Sequence, residues 1–361
     1  SFGGFEFDYI FVSAQRRRGE MEKNMKVTMK DIAKELNISI NAVSIALNDK
    51  PGVSDSMRLK ILRTADKMGY INEKHHYLSV FSKSNICILM QSYYANTGHF
   101  YSIVLRSIVE RAKQLGYISI LNYFEDNQFE FPDCIIDRKV AGILVVGKIS
   151  DQNLNQLKNT GIPVILVDYT SLGDTCDCVL THNKQGGYLI TQYVLDRGYK
   201  RVGFFGDLEY SLSFSDRFMG YKQALVNRNI TDDIESYINQ YSILHETEKY
   251  VLENDVHSIV SLLEKRELPE VFVCANDSNA FILLNALTLM NIKVPDQIAI
   301  TGFDDTPLCD KTIPKLTTVQ VQKELMGEIA VNKLIDRIHR ENDVQMTQLL
   351  STKIIERDSV K

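Results

Sequence analysis

Hydrophobic spacing changes character once along this chain. From residue 28 to about residue 70 the apolar positions recur at helical intervals. Ile32, Ala33 and Leu36 form one face, Val43, Ala46 and Leu47 a second, and Leu59, Leu62, Ala65 and Met68 a third. Thr28 and Asp31 have the spacing of a capping box, Asn37-Ile38-Ser39 interrupts the pattern, and Gly69 follows the last apolar position as a stop. Three short helices, the first two joined by a tight turn, predict a helix-turn-helix. Residues 72–85 are polar and irregular, and His75 and His76 within them are read as linker residues. Beyond them, short continuous apolar runs alternate with amphipathic stretches. Strands are expected at 86–90, 118–124, 141–147 and 163–169, then at 201–206, 271–277 and 298–305. Helices are expected near 101–115, 184–197, 215–228, 246–264 and 278–291. Such runs are strands buried on both faces, so the pattern predicts an α/β body of two doubly wound parallel-sheet subdomains. A small ligand belongs between them, at the carboxyl ends of the strands.

Composition narrows the classes. The chain has 361 residues, 44% hydrophobic and 24% charged, which excludes a disordered or low-complexity chain. Charge is uneven: residues 21–83 carry 11 Lys and Arg against 7 Asp and Glu, and residues 84–361 carry 27 against 36. A basic head on an acidic body suggests that the head meets a polyanion. The six cysteines have no zinc-site spacing, and most sit in apolar runs, as buried residues of a reducing compartment do. No apolar run is long enough for a membrane helix, so a cytoplasmic protein is expected. No G-x-S-x-G, H-E-x-x-H or P-loop occurs, and no catalytic residue, metal site or cofactor is expected.

The stretch VTMKDIAKELNISINAVSIALN (27–48) resembles the DNA-binding head of the LacI/GalR family of bacterial transcription regulators. The resemblance continues, in family order, through DRKVAGILVVG (137–147), DRFMGYKQAL (216–225), VCANDSNAF (273–281), VPDQIAITGFDD (294–305) and LTTVQV (316–321). It implies an all-α head and a periplasmic-binding-protein-like body. Residues 1–25 are then an expression tag or start extension, 26–71 the helix-turn-helix domain, 72–85 a hinge linker, and 86–361 the effector-binding and dimerisation domain. Within the last, one subdomain takes about 86–180 and 322–342 and the other about 181–321 and 343–361. The implied partners are pseudo-palindromic operator DNA, a small-molecule effector of carbohydrate type and a second copy of the chain, as a homodimer or tetramer. A nucleobase effector and a corepressor mode remain alternatives, and a solute-binding receptor would leave residues 27–70 unexplained.

The DNA-contact candidates are Thr28, Ser39, Ile40, Asn41, Ser44, Ile45, Asn48 and Leu78. Asn41 can pair with an adenine edge, Ser44 can reach a base or phosphate, and Thr28 and Ser39 stand at helix starts, where backbone N–H groups meet phosphates. Ile45 replaces the family's usual Arg, which points to thymine methyls or to packing on the third helix. In the hinge, Leu78 is the candidate minor-groove wedge, although the family's Pro, Ala and Arg are missing around it. The effector candidates that the resemblance implies are Tyr101, Arg217, Asn276 and Asp304, with Asp168, at the end of a first-lobe strand, beside them. Arg217 supplies a donor fork, Asp304 and Asp168 acceptors at strand ends, Asn276 a further polar group, and Tyr101 a stacking ring. Asp305 is read as a structural neighbour and Asp277 as the cap of the next helix. Val321 replaces a polar residue of some sugar-binding members.

Overall fold

The computed structural model describes residues 27–47, 50, 52–68, 70, 85–95, 99–339 and 344–361. They form two compact units, a head and a body.

The head has three helices, α1 (Met29–Leu36), α2 (Ile40–Leu47) and α3 (Asp55–Lys67). The expected capping box forms: Thr28 donates from its backbone N–H (2.8 Å) and its hydroxyl (2.6 Å) to the Asp31 carboxylate. Asn37 ends α1 in the left-handed conformation, φ 53°, and returns its N–H to Ala33 and Lys34. Ser39 caps α2 by accepting from the N–H of Ala42 (3.1 Å). Ile32, Ala33, Val43, Ala46, Ile61 and Ala65 form the buried centre. Ile61 was not among the expected inward positions of α3, whereas the side chain of Leu59, which was, lies outside the described set. Arg58 reaches from α3 to the end of α2, donating to the carbonyls of Ile45 (3.3 Å) and Ala46 (3.2 Å). It thereby joins the Lys50 N–H on the Ile45 carbonyl and gives the Ala46 carbonyl at the helix end a donor.

The body begins with β1 (Asn85–Gln91), α4 (Ser92–Ala95), α5 (His99–Gln114), β2 (Ile118–Phe124), α6 (Asp133–Ile136), β3 (Gly142–Val146), α7 (Asp151–Asn159), β4 (Val164–Val167) and β5 (Asp177–Thr181). The chain continues with α8 (Asn183–Asp196), β6 (Val202–Phe205), α9 (Leu212–Asn227), α10 (Ile234–Tyr241), α11 (Thr247–Glu253), α12 (Val256–Leu263), β7 (Val271–Cys274) and α13 (Asp277–Leu289). It closes with β8 (Ala299–Asp304), β9 (Thr317–Gln320), α14 (Lys323–His339), β10 (Thr347–Leu350) and β11 (Lys353–Ile355). One sheet has the order β10-β5-β4-β3-β1-β2, all parallel, and the other β11-β9-β8-β7-β6, parallel except for the β11–β9 pair. A parallel bridge from Phe205 to Ile243 adds a minimal further strand beside β6. With that bridge counted, the five-strand progression of each lobe is 2-1-3-4-5. The strand register alternates faces as expected: Ile86, Ile88 and Met90 pack under α5, while Cys87 and Leu89 pack with Leu154 and Leu157 of α7.

Three expectations are corrected. The helix expected over 246–264 is two helices, because Asn254 turns left-handed (φ 51°) and Asp255 recaps the chain through the Ser258 N–H. The segment 343–361 does not belong wholly to the second lobe. Thr347–Leu350 pairs parallel with β5 of the first sheet, so the last crossing falls between Leu350 and Lys353. The cap of α13 is Asn276 rather than Asp277, which is its first helical residue and is buried.

The α8–α9 contact fixes the position of the site. A Cβ at Gly187 would lie 2.1 Å from the Arg217 carbonyl oxygen, and one at Gly220 would lie 2.1 Å from that of Lys184. Only hydrogen side chains permit so close a crossing. Gly187→Ala should therefore force the helices apart and lower the stability of the body by about 1–3 kcal/mol, the usual scale of overpacking. Thermal unfolding measures this, and an unchanged Tm would show that the backbones can separate without strain.

Candidate effector site and DNA-contact helix

The carboxyl ends of both sheets open onto one cavity of about 790 Å³. The five effector candidates, Tyr101, Asp168, Arg217, Asn276 and Asp304, all line it. Asp168 follows β4 with φ 59°, and Asp304 ends β8 with φ 116°. Left-handed backbone is uncommon at non-glycine residues, and here it stands at both strand ends, with both carboxyls on the cavity. Lys323 stabilises the second of these ends: its buried ammonium donates to the backbone carbonyls of Asp304 and Asp305 (3.2 Å for the latter). Asp305 faces away and binds Arg357 (2.8 Å) and Gln320 (2.8 Å), the structural role expected of it.

Arg217, on α9, is buried and fully engaged. Its Nε donates to Asn183 Oδ1 (2.9 Å), Nη1 to the Ala275 carbonyl (2.7 Å), and Nη2 pairs with Asp304 Oδ1 at 3.2 Å. The guanidinium lies 3.8 Å from the centroid of the Phe303 ring. Burial pushes the Asp304 carboxyl up, against the opposing pull of Arg217 and Lys323. Across the cavity, Tyr101 donates its hydroxyl to Asp168 Oδ2 (3.0 Å) and packs 4.8 Å from Tyr94. Burial raises Asp168 to about 7, although Arg217 and Tyr101 both favour its charged form. Asn276 spends its side-chain oxygen on the N–H of Asn279 (2.8 Å), which leaves the amide nitrogen for a ligand.

Sequence reasoning missed Glu248, Asn183, Tyr210 and Lys148, which also line the cavity. Glu248 sits in the first turn of α11, where an acid reads as an ordinary helix-start residue. Only the break at Asn254 and the fold of the second lobe carry it inward.

In the head, Ile40 and Asn41 are exposed, and Ser44 and Ile45 are half-buried, on the face of α2 opposite Val43 and Ala46. Ile45 lies near Gly52: a Cβ there would be 3.4 Å from its Cδ1, so part of Ile45 is spent on packing. The Thr28 hydroxyl gives its one proton to Asp31, whereas Ser39 accepts at its cap and keeps its proton for a partner. Asn48 and Leu78 lie outside the described residues, as does the hinge segment 72–84.

A helix-turn-helix head in one chain with a two-lobed α/β body that encloses a polar cavity defines an effector-responsive DNA-binding regulator. Residues 28–73 match the bacterial regulatory proteins of the lacI family, and residues 191–360 match the periplasmic binding protein-like domain. Through these two matches the chain is similar, in head and in body, to the LacI family of bacterial transcriptional regulators. The HTH-type transcriptional repressor PurR of Photobacterium profundum is 24% identical over 340 residues, covering 92% of this chain and 98% of that protein. A LacI family regulator from Enterococcus faecium, solved with bound ribose, shares 23% identity and a TM-score of 0.64 over 76% of this chain and 98% of its own. The lac repressor dimer bound to operator and the anti-inducer ONPF shares 20% identity and a TM-score of 0.67 over 92% and 98%. Among the described residues no helix is long and apolar enough to cross a membrane.

Two measurements test the electrostatics. Removing one partner of a buried pair leaves a bare charge, so Arg217→Met should cost about 3–5 kcal/mol, and Arg217→Met with Asp304→Asn should recover most of it. Additive losses in thermal unfolding would show that the two groups do not depend on one another. Asp168 ionises near 3.8 in the unfolded chain and at about 7 in the fold. The fold therefore binds the extra proton between those values, and its contribution to stability is complete below the lower value and lost as pH rises through the upper. Asp168→Asn mimics the protonated form. It should raise the Tm of the ligand-free protein more at pH 8 than at pH 4, and an equal gain at both would remove Asp168 from the buried set.

Proposed function

We propose that the protein is a transcriptional repressor that binds a pseudo-palindromic operator as a homodimer and responds to a carbohydrate held between its lobes. The observation that carries the effector reading is the facing arrangement of Arg217 with Asp304 on one lobe and Tyr101 with Asp168 on the other. Fixed donors and acceptors that meet across a cavity, with aromatic walls, suit a polyhydroxylated ring: hydroxyls both donate and accept, and rings cover apolar sugar faces. A neighbour with the same fold was solved with bound ribose, which supports a small polyhydroxylated effector. In DNA, the exposed Asn41 reads an adenine edge, Ile40 and Ile45 meet thymine methyls, and Ser39 donates to a phosphate. Thr28 serves α1 as a cap.

The test combines one titration with one truncation. Operator selected from a random pool should bind with a log–log salt slope of about −0.9 per phosphate neutralised, and the body alone, residues 72–361, should not bind it. Sugars that raise the Tm of the body should shift the operator titration of the full chain. Operator binding by the truncated body would overturn the division of labour, and a stabilising sugar without effect on operator affinity would overturn the regulatory reading.

A further inference from the structure

Inside the cavity three carboxyls, Asp168, Glu248 and Asp304, face one cation, Arg217, while Asp151, Glu209, Asp216 and Lys148 are exposed. The whole lining carries two cationic side chains, Lys148 and Arg217, and six acidic ones. Arg217 is spent on Asp304, Asn183 and the Ala275 carbonyl. Glu248 is 7% exposed, lines the same cavity and has no ion-pair partner among the described residues. Its Oε2 accepts one hydrogen bond, from the neutral amide of Asn279 at 3.1 Å. A buried carboxylate with a single amide donor is under-compensated, and the remaining acceptor capacity needs a donor that also brings positive charge. An acid in a first helical turn is ordinary when solvated, but this one is turned away from solvent.

We propose that the effector carries a protonated amine beside its hydroxyls, an amino sugar, and that Glu248 is the counter-charge that selects it. The inference rests on the effector-site reading above and adds the charge of the ligand. An ammonium is compact, presents three donors and matches the carboxylate in charge. Phosphorylated and acidic sugars are excluded by the same surplus of carboxyls. Burial already raises Glu248 to about 7, the direction expected of a carboxyl awaiting a cation.

Calorimetry and thermal shift on the full chain test this with glucosamine, galactosamine and mannosamine against glucose, galactose, mannose, N-acetylglucosamine, ribose and putrescine. At least one hexosamine should bind about tenfold or more tighter than its neutral and N-acetylated counterparts, the scale of one hydrogen bond between charged groups. Glu248→Gln should erase that preference by weakening hexosamine binding more than neutral-sugar binding, and should keep or raise the ligand-free Tm, since it removes a buried charge. A hexosamine preference that survives in Glu248→Gln overturns the assignment of Glu248. Neutral sugars that bind as well as hexosamines, or putrescine that binds where no hexosamine does, overturn the amino sugar. In either case the effector site itself stands if Asp168→Asn, which keeps the body folded, weakens the binding, and it falls if binding is indifferent to Asp168.

Discussion

A single buried ion pair organises the body. Arg217 brings a permanent charge into a site that excludes water, and Asp304 meets it from the end of the next-but-one strand. Such a pair stands only when its other polar atoms are matched as well. Here Asn183 and the Ala275 carbonyl take the remaining guanidinium donors, the Phe303 face covers the cation, and Lys323 pins the backbone that presents the carboxylate. Four separate stretches of sequence thus converge on one charge. The helix that carries it can come close enough only because Gly187 and Gly220 let α8 and α9 touch backbone to backbone. Glycine weakens a helix interior, and the gain at this position is geometric.

The pair also exposes a symmetry between the lobes. Asp168 follows the fourth strand of the first lobe, and Asp304 ends the fourth of the second once the Ile243 bridge is counted. Both have positive φ and both carboxyls face the cavity. After the fifth strand of each lobe the chain crosses: β5 leads to α8, which packs in the second lobe, and β9 leads to α14, which packs on the first. The site is therefore built twice from one plan, with strand ends as acceptor posts. The second copy differs in holding a buried cation.

Much of this was legible in the sequence where local pattern and global fold agree. The head helices, the buried parallel strands and the strand-end carboxylates follow from spacing, caps and apolar runs. The parts that were not legible depend on tertiary context. β5, with Asp177 at its start and Cys176 just before it, lacks a continuous apolar run, yet Asp177 is buried because Arg337 and the Met346 N–H satisfy it. β10 and β11 are short edge strands with mostly exposed or half-exposed side chains, and only their partners make them strands. Asn254 is compatible with a helix until the Asp255 cap restarts the chain. Ile45 is ambiguous in sequence because a half-buried position serves both packing and contact, and the Gly52 neighbourhood gives it a share of each.

These features bear on how a ligand can act at a distance. A ligand shifts a conformational equilibrium only by its difference in affinity between states. Groups already satisfied within one lobe contribute little to such a difference, and Arg217 is satisfied without a ligand, whereas Asp304 Oδ1 has the ion pair but no hydrogen bond. The differential must come from groups that remain under-compensated until a ligand spans the cavity. Asp168 on the first lobe and Glu248 on the second are such groups: both are carboxyls raised to about 7, and neither has an ion-pair partner among the described residues. A ligand that satisfies both at once couples the lobes through one under-compensated carboxyl on each. The chain crosses between the lobes near residues 182, 322 and 351, and Lys323, the first residue of α14, holds the strand-end turn of the second lobe. The side chain that fixes the Asp304 strand end thus stands at one of the three crossings, so the cavity wall and an inter-lobe connection share Lys323.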